Sequence, residues 1–169
     1  DASGSFANTI PSVKKALKTL TTFVREEDYD ENNPRLVKTD DPDTSDRVMV
    51  ASFQGVDGYN YYNNDTFTGK PDVYGGWGPK YDYKYKSSSL TSDQSTIHSF
   101  IDNISVIGGT PTVPAIEDAI KEYNANKGSM ANERKTVFLM ITDGVANGKR
   151  DADGKVRIDY SGTRNRKLQ

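Results

Sequence analysis

The sequence predicts an α/β layered fold. Three observations carry the prediction: two continuous apolar runs of strand length at 47–53 and 135–142, three amphipathic helical patterns that alternate with them, and a polar stretch rich in tyrosine and glycine at 55–90. A strand that is apolar on both faces belongs inside a parallel sheet with helices on each side, and alternation of such strands with helices is the pattern of an α/β domain.

The elements follow in order. At 11–26, Val13, Ala16, Leu17, Leu20, Phe23 and Val24 recur at spacings of three and four, which predicts a helix with one apolar face. Pro11 suits its first turn, and Asn8 or Thr9 can cap it. The run 47–53 supplies Val48, Met49, Val50, Ala51 and Phe53 as a buried strand. The segment 55–90 then carries Gly55, Gly58, Gly69, Gly75, Gly76 and Gly78, and seven of the ten tyrosines lie between Tyr59 and Tyr85. Tyr81, Tyr83 and Tyr85 alternate with polar residues at a period of two, so this insertion is expected to hold one or two short strands. A second helix is predicted at 93–104, with Ile97, Phe100, Ile101 and Ile104 on one face and Thr91, Ser92 and Asp93 as start signals. A third is predicted at 112–125, with Val113, Ile116, Ala119, Ile120 and Tyr123 on its apolar face and Pro114 harmless in its first turn. The most apolar strand, 135–142, contains Val137, Phe138, Leu139, Met140 and Ile141, and Asp153-Gly154 reads as a hairpin turn.

Composition excludes several classes. The 169 residues suit one domain. A formal net charge of −2 gives no basic face for nucleic acid, and no run approaches the ~18 apolar residues of a membrane span. With no cysteine there is no disulfide, thiol nucleophile or thiolate metal site, and with His98 as the single histidine there is no histidine pair. His98 lies beside the apolar stripe of its helix and is expected at the surface. Leu, Ile, Val and Phe number only 33, but the segment 54–96 holds just Val56, Phe67, Val73 and Leu90 of these. The flanks therefore carry an ordinary core, and the low net charge argues against disorder.

The residues that carry chemistry sit at the ends of these elements. The chain opens with Asp1-x-Ser3-x-Ser5, Gly108-Gly109-Thr110 opens the third helix, and Thr142-Asp143-Gly144 ends the most apolar strand. In open α/β sheets, sites form beyond the carboxyl ends of the strands, where Asp143 and Thr110 would lie. Together, Asp1, Ser3, Ser5, Thr110 and Asp143 offer two carboxylates and three hydroxyls, all hard oxygen donors of the kind Mg²⁺ takes. Five such donors leave one of the six positions around a divalent ion open to an anionic oxygen from outside. Taken singly, each motif is an ordinary cap or turn; their order and spacing on the α/β pattern give them joint meaning.

These three motifs resemble the metal-ion-dependent adhesion site of von Willebrand factor A domains, the domain type also found in integrins. The resemblance covers nearly all of the chain outside the insertion. It implies a doubly wound, mostly parallel sheet flanked by helices, with Mg²⁺ or Mn²⁺ (Ca²⁺ as a further option) held by Ser3, Ser5 and Thr110 through hydroxyls and by Asp1 and Asp143 directly or through water. A partner's Glu or Asp would complete the metal shell. The run Thr142-Asp143-Gly144-Val-Ala-Asn-Gly148, the tyrosine-rich insertion and the lack of cysteine are similar to tip adhesins of Gram-positive pili. That likeness implies a non-enzymatic adhesion module on an extracellular bacterial surface, at a pilus tip or cell wall, binding acidic groups of host matrix or cell-surface proteins. The family places an apolar strand before the first motif and further elements after the last, so residues 1–169 are expected to be a single, incomplete domain, one piece of a longer adhesin.

Other readings stand beside this one. Tyr59, Tyr61, Tyr62 and Trp77 can form a ligand-binding surface, since such side chains give rigid contact area with a polar tip, or can pack the insertion against itself. Tyr83 is expected to point inward. Asp151-x-Asp153-Gly154 lacks the full ligand set of a calcium loop and fits a turn better. The acidic runs at 26–31 and 40–43 read as solvated, and the basic residues Arg164, Arg166 and Lys167 as a tail. An intracellular subunit of an ATP-driven assembly is an alternative role for the same domain. A Mg²⁺-dependent phosphatase is a weaker one, because its second acid, two residues after Asp1, is replaced by Ser3.

Overall fold

The computed structural model describes residues 1–55, 83–128, 134–144, 146–150, 152, 154 and 156–158. Tyr59, Tyr61, Tyr62 and Trp77, most of the insertion, Asp151, Asp153 and the basic tail lie outside the described residues.

A short 3₁₀ turn, Gly4–Asn8, leads into helix α1, Ile10–Leu20, with Pro11 in its first turn. This helix ends earlier than its apolar spacing predicts. Phe23–Arg25 instead forms strand β1, paired in parallel with β2, Leu36–Lys38. The cause is a threonine run. The hydroxyls of Thr19, Thr21 and Thr22 donate back to the carbonyls of Lys15, Leu17 and Lys18, and three β-branched residues so close together disfavour a further helical turn. The Phe23 amide then leaves the helix and donates to Gln94 Oε1 at 2.9 Å.

The predicted strand at 47–53 forms ladder β3 over Ala51–Gln54, antiparallel to β4, Lys84–Ser87, at the end of the insertion. Its earlier part stays extended: Val48 and Thr91 exchange both backbone hydrogen bonds, and between these pairings Ser88 Oγ accepts from the Val50 amide. Helix α2, Gln94–Asp102, starts where the sequence signals it. Its N-cap Asp93 accepts from the Ser95 amide and from the hydroxyls of Ser95 and Thr96, supplying partners that the first turn lacks. Ile97 and Ile101 are fully buried with Val50 between Leu17, Phe23, Val48, Phe100 and Ile104, and each such isoleucine contributes about 1.5–3 kcal/mol. His98 is half-buried rather than on the surface, and its Nε2 has no hydrogen-bond partner among the described residues.

Helix α3, Thr112–Asn126, buries Thr112, Pro114 and Ala115, while Val113, Ile116 and Ile120 of its predicted apolar face are exposed. Polar contacts decide its orientation. Asp118 Oδ2 accepts from the Tyr83 hydroxyl at 2.8 Å, Glu122 accepts from the Ser87 hydroxyl, and Arg150 binds Glu117 and Asp118. Arg150 ends β5, Gly148–Arg150, which pairs antiparallel with β6, Val156–Ile158. The expected hairpin is therefore present, with Gly154 at a φ of 78° that favours glycine. Tyr83 points inward as expected and packs against buried Val156.

The run 135–142 departs from the buried strand its composition predicts. Val137, Phe138 and Leu139 are 75%, 60% and 69% exposed, and no ladder pairs the segment among the described residues. It is anchored by an edge-to-face contact of Phe138 with Tyr123 and by a hydrogen bond from the Asp1 nitrogen to Ile141 O at 3.0 Å. A strand is buried only when neighbours take up its backbone groups and cover its faces. Among the described residues no helix is long and apolar enough to cross a membrane.

Candidate functional site

Three chain segments meet at one end of β3. The Ala2 amide donates to Phe53 O at 2.8 Å, Ile107 N to Ala2 O at 2.9 Å, Gly4 N to Gly108 O at 2.9 Å and Gly55 N to Gly109 O at 2.9 Å. Gly108 takes a φ of 70°, which turns the chain so that its carbonyl faces the amide of Gly4. Ala2 and Phe6 are buried beneath this junction, so the opening motif is held at both its backbone and its apolar side chains.

On that base the side chains converge. Ser3 Oγ lies 3.0 Å from Ser5 Oγ, and Ser5 Oγ donates to Asp143 Oδ1 at 2.9 Å across 138 residues of sequence. The Asp1 carboxylate accepts from the Ser3 amide through Oδ1 at 2.8 Å and from the Thr142 hydroxyl through Oδ2 at 2.7 Å. Thr110 sits beside Gly144: a Cβ placed on that glycine would come within 2.9 Å of Thr110 Oγ1. The five residues singled out in the sequence, Asp1, Ser3, Ser5, Thr110 and Asp143, are thus brought together. Ser3 and Thr110 form the floor, at 1% and 5% exposure, while Ser5 and Asp143 are exposed at the rim.

The donor set can be tested against a divalent cation. Mg²⁺ binds oxygens at 2.0–2.1 Å in an octahedron, so neighbouring ligands stand about 2.9 Å apart. The Ser3–Ser5 and Ser5–Asp143 oxygen separations of 3.0 and 2.9 Å have that spacing, and Thr110 Oγ1 makes no hydrogen bond among the described residues. Two carboxylates and three hydroxyls are hard, partly neutral donors, and they fit Mg²⁺ or Mn²⁺. Among the described residues no group of three or more His, Cys, Asp or Glu side chains is placed to hold a metal ion, and three of the five donors here are hydroxyls.

Two residues of the site carry no role in the sequence reading. Thr142 holds the outer oxygen of Asp1, and Asn147 holds Thr110, accepting from its amide at 2.6 Å and donating from its own amide to Thr110 O at 3.0 Å. Thr142 adjoins Asp143, and that adjacency is its only sequence signal. Asn147 precedes Gly148 and reads locally as a turn residue.

The site defined here is an oxygen-lined cup of carboxylates and hydroxyls at the end of a strand. Over its full length the chain is 59% identical to a segment of Platelet adherence protein A of Streptococcus gordonii, in an alignment of 172 residues. The chain spans about 5% of that protein's length. No protein-family model and no solved structure matches the chain.

Proposed function

We propose that this chain is the metal-dependent adhesion module of a bacterial surface protein, built as a von Willebrand factor A-like domain. Asp1, Ser3, Ser5, Thr110 and Asp143 hold a divalent cation, Mg²⁺ or Mn²⁺, at the end of β3. The observation that carries this reading is the Ser5–Asp143 contact at 2.9 Å, which joins the first motif to the last.

A bound cation supplies Lewis acidity toward a carboxylate oxygen of a partner protein. The chain's own residues set up that encounter. Ser3 and Thr110 lie too deep to meet a protein partner, so they serve as floor ligands, whereas the exposed rim at Ser5 and Asp143 leaves room for an incoming Glu or Asp. Three neutral hydroxyls and two carboxylates supply five of the six oxygens such a cation takes, which leaves a sixth position for a carboxylate oxygen from outside. The relative's name, Platelet adherence protein A, supports adhesion as the task and a platelet surface protein as the partner. It also supports an extracellular place on the bacterial surface. Tyr59, Tyr61, Tyr62 and Trp77 are proposed as the surrounding contacts that select among acidic partners.

The test is adhesion of the purified chain to immobilised platelets in Mg²⁺, in EDTA, and in EDTA followed by excess Mn²⁺. Binding that is lost in EDTA and restored by Mn²⁺ supports the reading. Binding of equal strength in EDTA overturns it and transfers recognition to surfaces outside the cup.

A further inference from the structure

The Thr110 peptide is held on both sides by a residue that is not one of the five candidate ligands. Asn147 stands just before β5 and grips the Thr110 peptide from both sides: its Oδ1 accepts the Thr110 amide at 2.6 Å, and its own amide donates to Thr110 O at 3.0 Å. The same carbonyl also accepts from Thr112 N at 2.9 Å as α3 begins. With its backbone fixed on both sides, Thr110 keeps only rotation about χ1, and Gly144 packs directly against that rotor.

Asn147 is itself held in place. Three residues on, Arg150 donates to Glu117 Oε2 at 3.0 Å and to Asp118 Oδ1 at 2.9 Å, so the strand after Asn147 is pinned to the second turn of α3. The loop carrying Thr110 and the strand after Asn147 are therefore both tied to the start of that helix. The acceptor is also chemically apt. An amide oxygen satisfies the Thr110 N–H without adding a third carboxylate beside Asp1 and Asp143.

We propose that Asn147 is a positioning residue of the cation site, aiming the Thr110 hydroxyl at the ion through the Thr110 peptide. This inference rests on the cation reading above. Outer residues that orient metal ligands typically change affinity by about 10–100-fold when removed.

The experiment compares the full chain with Asn147→Ala and Asn147→Asp by two measurements: Mg²⁺ titration by calorimetry, and amide hydrogen exchange of Thr110 by NMR in EDTA. Asn147→Ala is expected to weaken Mg²⁺ binding by about tenfold or more. It should also speed Thr110 exchange in the metal-free chain while Ile97 and Ile101 exchange at the parent rate. Asn147→Asp keeps the acceptor and should restore Thr110 protection in the metal-free chain, the readout that its added charge leaves interpretable. The proposal is overturned if Asn147→Ala binds Mg²⁺ as tightly as the parent. It is equally overturned if Ile97 and Ile101 accelerate together with Thr110 and Asn147→Asp rescues nothing, since the residue then acts on global stability alone. A parent chain that takes no Mg²⁺ or Mn²⁺ sinks the cation reading and this proposal with it. The metal-free exchange of Thr110 distinguishes that failure from the absence of the clamp.

Discussion

Ser5 and Asp143 share a hydrogen bond of 2.9 Å although 138 residues separate them in the chain. One lies in the first polar motif and the other after the most apolar run, and β3 and the Gly108–Gly109 turn hold the first motif in place beneath the contact. The consequences of that convergence can be measured.

Gly144 tests the close approach to Thr110. A methyl group there meets Thr110 Oγ1 at 2.9 Å and Cγ2 at 3.3 Å, so one side chain must move. Gly144→Ala is expected to destabilise the chain by about 1–3 kcal/mol, as overpacking does. In a Thr110→Ala background, which removes both atoms, most of that cost should vanish. Urea denaturation of the four chains in the double-mutant cycle reads the coupling, and equal costs in both backgrounds contradict the packing.

Tyr83 tests the support of α3. Burial raises its pKa, and the hydrogen bond to Asp118 and that residue's charge raise it further, against the opposing pull of Arg150. The folded phenol therefore holds its proton more tightly than the unfolded one. Its contribution is fully present below the unfolded value of about 10 and is lost as pH rises above it. Tyr83→Phe should cost about 1 kcal/mol at neutral pH and should flatten the decline of stability above pH ~10. Thermal melts between neutral and alkaline pH check the slope; an unchanged slope in Tyr83→Phe contradicts the assignment.

Asp93 tests the start of α2. Hydrogen bonds from Thr96 and Ser95 hold its carboxyl below the usual range. Its stabilising effect is therefore present above the unfolded carboxylate pKa and is lost as pH falls through the lowered folded value. Asp93→Asn retains a capping oxygen but should lose this acid-side dependence, whereas Asp93→Ala should lower the melting temperature at neutral pH as well. Melts of the two variants at pH 7 and in acid separate cap from charge.

Much of the candidate site was legible in the sequence because its five residues lie in short polar motifs at the ends of strongly patterned elements. Asp93 before α2 and Pro114 in α3 were legible for the same reason: capping and proline chemistry are local. The end of α1 was not, since apolar spacing continues to Val24 and the stop comes from hydroxyls turned back on the helix. The orientation of α3 escaped because hydrophobic periodicity cannot see Tyr83, Ser87 and Arg150 taking up Asp118, Glu122 and Glu117. The run 135–142 misled in another way. Its apolar composition records a preference for burial, while actual burial requires neighbouring strands, and it pairs with none among the described residues. Thr142 and Asn147 act through contacts with Asp1 and Thr110, and neither contact leaves a trace in sequence spacing.

The most direct measurement of the central claim is paramagnetic broadening by substoichiometric Mn²⁺ in the amide NMR spectrum of the chain. Broadening falls off steeply with distance from the ion, so one bound cation marks its own surroundings. The account predicts that Ser3, Ser5, Thr110 and Asp143 broaden together at the lowest Mn²⁺, and that Asp143→Ala abolishes the effect at all four. Broadening that begins at the acidic loop Asp41–Asp43, with these four amides still sharp, would contradict it.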